Sequence, residues 1–360
     1  MSEALHTTVL TIDAQRPAPD LVAQAAALLR AGRLVAFPTE TVYGLGANAL
    51  DADAVRRIFA AKQRPAYDPL IVHVTGVDAL RALLRAVPPV ALLLADHFWP
   101  GPLTLVAPRA DIIPAEVTAG GPTVALRAPS HPVAQALLHA TRLPIAAPSA
   151  NLFSHTSPTT AAHVWEDLAG RIDLILDAGP THWGVESTVL DVSGAVPVLL
   201  RPGGVTLEAL RALLGRVDIR DAAASGGVLP GPGLLERHYA PRTRLLLAEV
   251  EGAGAAEAAR AHIESAARAE LAAGRFPLLL AYDEDLPVLA QVIALGAGVE
   301  RLGAAAQPEQ VAARLYAALR AADALGANLL LARTLSPQGL GAAVNDRLRR
   351  AAGGKWAGGE

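Results

Sequence analysis

Two cations spaced two residues apart, Lys62 and Arg64 in Lys62-Gln63-Arg64-Pro65, are the first place where this chain could do chemistry. An ammonium meets phosphate as a compact point charge, whereas a guanidinium meets it as a planar fork. Together they suit a polyphosphate, whose charge must be neutralised at two neighbouring places. The use of lysine is itself informative. Of the 31 Lys and Arg residues two are lysine, and the other, Lys355, lies in a glycine-rich tail. Taken alone, the pair leaves a second reading open: two solvated cations at a helix C-terminus, favoured by the helix dipole.

Further polar clusters fall on loops that follow strand-like segments. Pro38-Thr39-Glu40-Thr41-Val42-Tyr43-Gly44-Leu45-Gly46 presents hydroxyls and backbone N–H groups at a strand end. In Pro148-Ser149-Ala150-Asn151, Ser149 and Asn151 point the same way if locally extended, and could donate to phosphate or to metal-bound water. Residues 154–160 are rich in hydroxyls, although Thr159 and Thr160 are equally natural caps for the helix that follows. Arg127 and Arg201 each close a strand, the latter just before Pro202-Gly203-Gly204. Arginines so placed are either anion clamps or rim charges. Several schemes are excluded. There is no G-x-x-x-x-G-K-[ST] loop, no H-E-x-x-H and no G-x-S-x-G elbow. Gly44-Leu45-Gly46 lacks the third glycine of a dinucleotide fingerprint and reads as a turn.

The elements that must position these residues alternate in type. Strands are expected at Leu34–Phe37, Leu70–Val74, Leu103–Ala107, Thr123–Leu126, Ile145–Ala147, Ile172–Leu176, Ser187–Val192 and Val198–Leu200. Helices are expected at Leu21–Arg30, at Ala54–Ala61 with Asp53 as cap, and at Pro132–Ala140, Thr159–Leu168 and Leu207–Leu214. Such alternation implies a sheet layered with helices. From Asp221 to Pro241 the pattern breaks into Gly, Pro and small residues, a linker that ends in the polar Arg237-His238-Tyr239-Ala240-Pro241. Beyond it, strands at Leu245–Ala248, Pro277–Tyr282 and Asn328–Ala332 alternate with alanine-rich helices, the last at Ala342–Ala351. This second domain reads as a small parallel α/β layer.

Composition narrows the function classes. A length of 360 residues suits two domains, and 52% hydrophobic residues support real cores, built mainly from Ala, Leu and Val. A net charge of −3 means that any anion must be held by local clusters rather than by bulk attraction. The absence of Cys excludes disulfides, thiolate zinc sites and a cysteine nucleophile. No apolar run approaches the ~18 residues of a membrane span, and the polar N-terminus has no export signal. A cytoplasmic protein with no membrane partner is expected.

Taken together, the clusters resemble the L-threonylcarbamoyl-AMP synthase family in its long form. The resemblance rests on Phe37 to Gly46, Lys62 to Pro65, Pro69-Leu70-Ile71-Val72-His73, Trp99-Pro100-Gly101-Pro102-Leu103-Thr104 and Pro148 to Asn151. It continues through Ser157-Pro158-Thr159, Gly184-Val185-Glu186-Ser187-Thr188-Val189, Leu200-Arg201-Pro202-Gly203, His238-Tyr239-Ala240-Pro241 and Gly339 to Leu348. It implies an α/β (α+β) architecture: a YrdC-like open twisted mixed sheet with helices around a concave cavity over residues 10–218, a linker acting as lid over 219–241, and a smaller Rossmann-like parallel α/β C-terminal domain over 242–352.

By resemblance, the enzyme would condense ATP, L-threonine and bicarbonate or CO2 into threonylcarbamoyl-adenylate, releasing pyrophosphate. Downstream threonylcarbamoyl transferase proteins would then modify tRNA reading codons that begin with A. Lys62, Arg64, Ser149 and Asn151 would cradle the triphosphate and carry the catalysis, with Thr123, Ser157 and Arg201 holding the nucleotide. Thr39, Tyr43, His73, Arg127 and Ser187 would form the threonine pocket, with Arg127 on the substrate carboxylate. Arg237, His238 and Tyr239 would close over ATP. The linker departs from the family pattern at Leu235 and Glu236, where a basic and an aromatic residue are usual. Mg2+ would shield the phosphates without a dedicated protein cage, with Glu40 and Glu186 the nearest acids. Two alternatives are a carbamoyl-adenylate-forming carbamoyltransferase and a non-catalytic RNA-binding module. The lack of a thiolate zinc finger and of aromatic stacking platforms counts against them.

Overall fold

Strict alternation along the central strands sorts their side chains into two cores. Val35, Phe37, Leu174 and Leu176 face one apolar cluster, while Leu34, Ala36 and Ile175 face another. The protein, seen in a computed structural model, is described over residues 5–220, 239–250, 252 and 254–353. It divides into one unit comprising Met1–Phe153 with Ser157–Leu234, and a second comprising Ser154–Thr156 with Leu235–Glu360.

The strands of the first unit are β1 (Thr8–Thr11), β2 (Val35–Phe37), β3 (Gly44–Asn48), β4 (Ile71–His73), β5 (Leu103–Pro108) and β6 (Thr123–Arg127). They continue as β7 (Ile145–Ala146), β8 (Leu174–Asp177), β9 (Thr188–Asp191), β10 (Val198–Arg201) and β11 (Asp218–Ile219). They form one mixed sheet in the order β1-β8-β2-β3-β7-β4-β6-β5-β9-β10-β11. Helices Pro19–Arg30 and Pro132–Thr141 cover the face of Val35 and Phe37; Ala52–Lys62, Pro89–Phe98 and Ala161–Leu168 contribute to the other core.

The second unit is a parallel sheet of β12 (Arg244–Ala248), β13 (Pro277–Tyr282), β14 (Gly298–Gly303) and β15 (Leu329–Arg333), ordered β12-β15-β13-β14. At its C-terminal edge Arg333 stacks over the Tyr282 ring at 4.4 Å and pairs with the buried Asp285 at 2.8 Å. No described helix is long and apolar enough to cross a membrane.

Most expected elements stand within one or two residues of their places. Two expectations are corrected. Gly44-Leu45-Gly46 is not a turn but the start of β3, and its second glycine is needed because a Cβ at Gly46 would lie 2.8 Å from the Phe37 ring. The cap of helix Ala52–Lys62 is Asp51, whose carboxylate accepts from the N–H groups of Asp53 and Ala54, rather than Asp53 itself. β1, β14 and helix Pro89–Phe98 were not expected from the sequence. The expected lid falls largely on residues 221–238, outside the described ones.

Candidate active site

Lys62 is delivered by the end of its helix. Gln63 adopts the left-handed region (φ 53°) and stops the helix there. The Lys62 residue is 1% exposed, and its Nζ donates to the carbonyl of Ser149 at 2.6 Å and to that of Asn151. Its own carbonyl accepts from Phe153 N at 2.8 Å, so one residue ties the loop after β7 at three points. Burial, reinforced by the Arg64 charge, holds the ammonium well below its usual range, with weaker opposition from Asp167 and Asp68. An arriving anion would favour the charged form.

Arg64 is engaged within its own loop. Its Nε donates to the Asp68 carbonyl at 3.2 Å and Nη2 to the Pro69 carbonyl at 2.9 Å, while Nη2 lies 2.8 Å from Asp68 Oδ2. Asp68 is fully buried. Burial pushes its carboxyl up, against the opposing fields of Arg64, Lys62 and Arg201 in that order. Three of the predicted cations therefore share the field of one carboxylate that sequence reasoning missed. Asp68 stands four residues after Arg64 but beyond the helix end, where spacing alone does not bring two side chains together.

Arg201 reaches this field from the end of β10 and also holds the start of β9. Its Nε and Nη2 donate to the Ser187 carbonyl at 3.2 and 3.0 Å. Ser187 Oγ lies 2.8 Å from Thr104 Oγ1, a pairing created by the parallel register Leu103↔Thr188 of β5 and β9. Gly203 permits the close crossing here, since a Cβ would sit 2.3 Å from Thr188 N. Next to Ser187, Glu186 accepts from the Ser157 hydroxyl at 2.6 Å.

On the neighbouring strand, Arg127 ends β6 one residue beyond Leu126, which pairs with Leu105. Its Nη2 lies 2.7 Å from Glu40 Oε1. His73 is the register partner of Arg127 across β4 and β6 and meets the Phe37 ring edge-on at 6.2 Å. Burial, then the Arg127 charge, pushes its imidazole down to about 3, so it is neutral at physiological pH. Thr39 Oγ1 donates to the Val42 carbonyl at 2.7 Å and lies 2.9 Å from Thr41 Oγ1. The Tyr43 hydroxyl donates to the Gly179 carbonyl at 2.7 Å and accepts from Ala178 N at 3.2 Å, and burial raises its phenol.

Lys62, Arg64 and Arg201 share the field of Asp68; Arg201 bonds Ser187, Ser187 meets Thr104 on β5, and Arg127 ends the adjoining β6 and pairs with Glu40 from the loop after β2. Thr123 stands apart from Arg127. It opens β6 opposite Pro108, about 13 Å away at ~3.3 Å per residue. Tyr239 lies in the second unit, its ring 5.7 Å from that of Tyr316 and 5.3 Å from the Arg347 guanidinium. Arg237 and His238 lie outside the described residues. Among the described residues no group of three or more His, Cys, Asp or Glu could hold a metal ion. Glu40 lies against Arg127 and Glu186 accepts from Ser157, while the carboxylate in the field of Lys62, Arg64 and Arg201 is Asp68.

A family model described as "Telomere recombination" matches residues 27–203, and one described as "Threonylcarbamoyl-AMP synthase, C-terminal domain" matches 205–353. The chain is 44% identical to the threonylcarbamoyl-AMP synthase of Pyrococcus abyssi, covering 91% of this chain and 93% of that one. It is 45% identical to the protein of the same name from Bacillus subtilis, covering 93% of each. The crystal structure of P. abyssi Sua5 complexed with L-threonine superposes with a TM-score of 0.88 at 40% identity, over 97% of this chain and 98% of the other.

Proposed function

The chain belongs to the threonylcarbamoyl-AMP synthase family, and from that premise we propose that it condenses L-threonine, bicarbonate or CO2, and ATP into threonylcarbamoyl-AMP, releasing pyrophosphate. The observation that supports the reading is a pair of buried charged clusters in the first unit, Lys62, Arg64 and Arg201 in the field of Asp68 and Arg127 beside Glu40. The first suits a polyanion and the second a small zwitterion.

In this reading threonine lies against Thr39, Tyr43, His73, Arg127 and Ser187, and its amine becomes a carbamate. A carbamate oxygen then attacks the α-phosphorus in line with the departing pyrophosphate. Two anions must meet, so the work of the protein is positioning and charge neutralisation. Lys62, Arg64 and Arg201 supply the charge. Ser149 and Asn151 stand beside the Lys62 ammonium to complete the cradle, and Ser157 holds the nucleotide. Neutral His73 adds a hydrogen bond without adding charge next to Arg127. Magnesium would enter with ATP and shield its phosphates. The described residues offer it no cage, and no step is assigned to it. Thr123 completes the nucleotide site of the first unit in this proposal. The product would pass, in the cytoplasm, to proteins that transfer the threonylcarbamoyl group to tRNA.

The experiment is direct. Pure protein is incubated with ATP, Mg2+, bicarbonate and single amino acids while pyrophosphate is followed. Threonine-dependent release is the expected result; release indifferent to the amino acid would exclude the reading.

A further inference from the structure

Glu40 and Arg127 form a buried ion pair that is incompletely satisfied. Their side chains are 7% and 4% exposed, and Oε1 lies 2.7 Å from Nη2. Yet neither Glu40 oxygen, nor Nε and Nη2 of Arg127, makes a hydrogen bond of acceptable geometry. Close approach without alignment gives Coulomb attraction but leaves buried donors and acceptors unmet, a costly arrangement that proteins rarely keep. The backbone beneath is firmly held. The Glu40 carbonyl accepts from Trp183 N at 2.8 Å, and Thr39 bonds forward to Val42 on either side of it. His73 Nδ1 is likewise buried without a partner. Around one point the first unit therefore keeps a carboxylate, a guanidinium and an imidazole with hydrogen-bonding capacity to spare.

The chemical complement of that set is a zwitterion. A ligand carboxylate presents two oxygens to the Arg127 fork, while a ligand ammonium offers the donors that Glu40 lacks. One misaligned pair then becomes two aligned ones. We infer that Glu40 receives the amino group of the threonine substrate and takes its proton, and that the Glu40–Arg127 contact is the ligand-free state of this subsite. The inference rests on the synthase reading and adds a catalytic residue to it.

The step balances as follows. Threonine arrives as an ammonium ion, which has no lone pair for CO2. The Glu40 carboxylate removes one N–H proton and becomes the carboxylic acid. The freed nitrogen pair forms the N–C bond to CO2, and one C=O pair moves onto oxygen as carboxylate charge. The surplus proton on nitrogen leaves to water, and Glu40 returns its own proton to solvent. In sum, ammonium and CO2 give the carbamate anion and two protons.

L-Threonine and 3-hydroxybutyrate share the carboxylate and β-hydroxyl and differ in the amine, which makes them the probe. Both are titrated into the full chain with a non-hydrolysable ATP analogue present, for wild type, Glu40→Gln and Glu40→Asp. Glu40→Gln is expected to weaken threonine at least about tenfold while leaving 3-hydroxybutyrate unchanged or tighter, because Arg127 loses its internal competitor. Glu40→Asp restores part of the selectivity, and carries the comparison if the glutamine variant does not fold. Threonine-dependent pyrophosphate release by Glu40→Gln falls roughly 10²–10⁴-fold near neutral pH and recovers as pH rises and free amine accumulates. Equal weakening of both ligands, or unchanged selectivity, would overturn the assignment. Failure of the wild-type chain to bind threonine would instead strike the synthase reading itself.

Discussion

Replacing Lys62 by methionine separates what its ammonium does for the fold from what it does for chemistry. Methionine keeps the length and apolar volume and removes the charge. Two hydrogen bonds to the carbonyls of Ser149 and Asn151 are lost, each worth about 0.5–1.5 kcal/mol from the neutral amine and about 1.5–3 kcal/mol from the ammonium. Against this stands relief from desolvating a cation that the fold holds well below its ordinary pKa. The two terms are of similar size, so the net change in stability near neutral pH is expected within about 2 kcal/mol.

Linkage sharpens the expectation. The folded-state pKa is depressed from 10.5, so the unfolded chain binds this proton more tightly. The wild-type contribution is fully present above 10.5 and is lost as pH falls toward the depressed value. The methionine variant lacks that slope. Activity follows a different scale: one preorganised donor to developing charge is worth about 2.7–4 kcal/mol, or roughly 10²–10³ in turnover. Urea unfolding between pH 7 and 10, with threonine-dependent pyrophosphate release on the same samples, reads both quantities. Undiminished turnover would refute the phosphate role. A loss above about 4 kcal/mol at every pH would show that the lysine is chiefly a structural tie.

Other changes test the supporting contacts. Asp68→Ala leaves Arg64 buried without its carboxylate and is expected to cost about 3–5 kcal/mol by urea denaturation; under 1 kcal/mol would mean that the carbonyls of Asp68 and Pro69 suffice. Tyr43→Phe removes the hydroxyl that serves Gly179 and Ala178 and is expected to cost about 1–2 kcal/mol, read from the same unfolding curves. Asp285→Ala strips the buried Arg333 of its partner, and hydrogen exchange should show loss of amide protection in β13 and β15.

The linear chain determined a good deal by itself. Branched and apolar runs such as Val198–Leu200 and Pro277–Tyr282 specified strands, because alternation and buried runs are local properties of the backbone. Motifs such as Lys62-Gln63-Arg64-Pro65 and the segment around Glu186 carried the family resemblance, since residue type and spacing are read directly. Gly44-Leu45-Gly46 misled because glycine usually marks turns; here its missing side chain makes room for Phe37, a fact of packing.

What only the tertiary structure decided was partnership. That Lys62 grips carbonyls 87 and 89 residues away, that Ser187 meets Thr104, and that Glu40 rather than solvent faces Arg127 follows from strand order and register. Those depend on which distant strands bury their apolar faces together. A short segment holds no record of that choice, because the free energy that fixes it arises only when the whole sheet closes its cores.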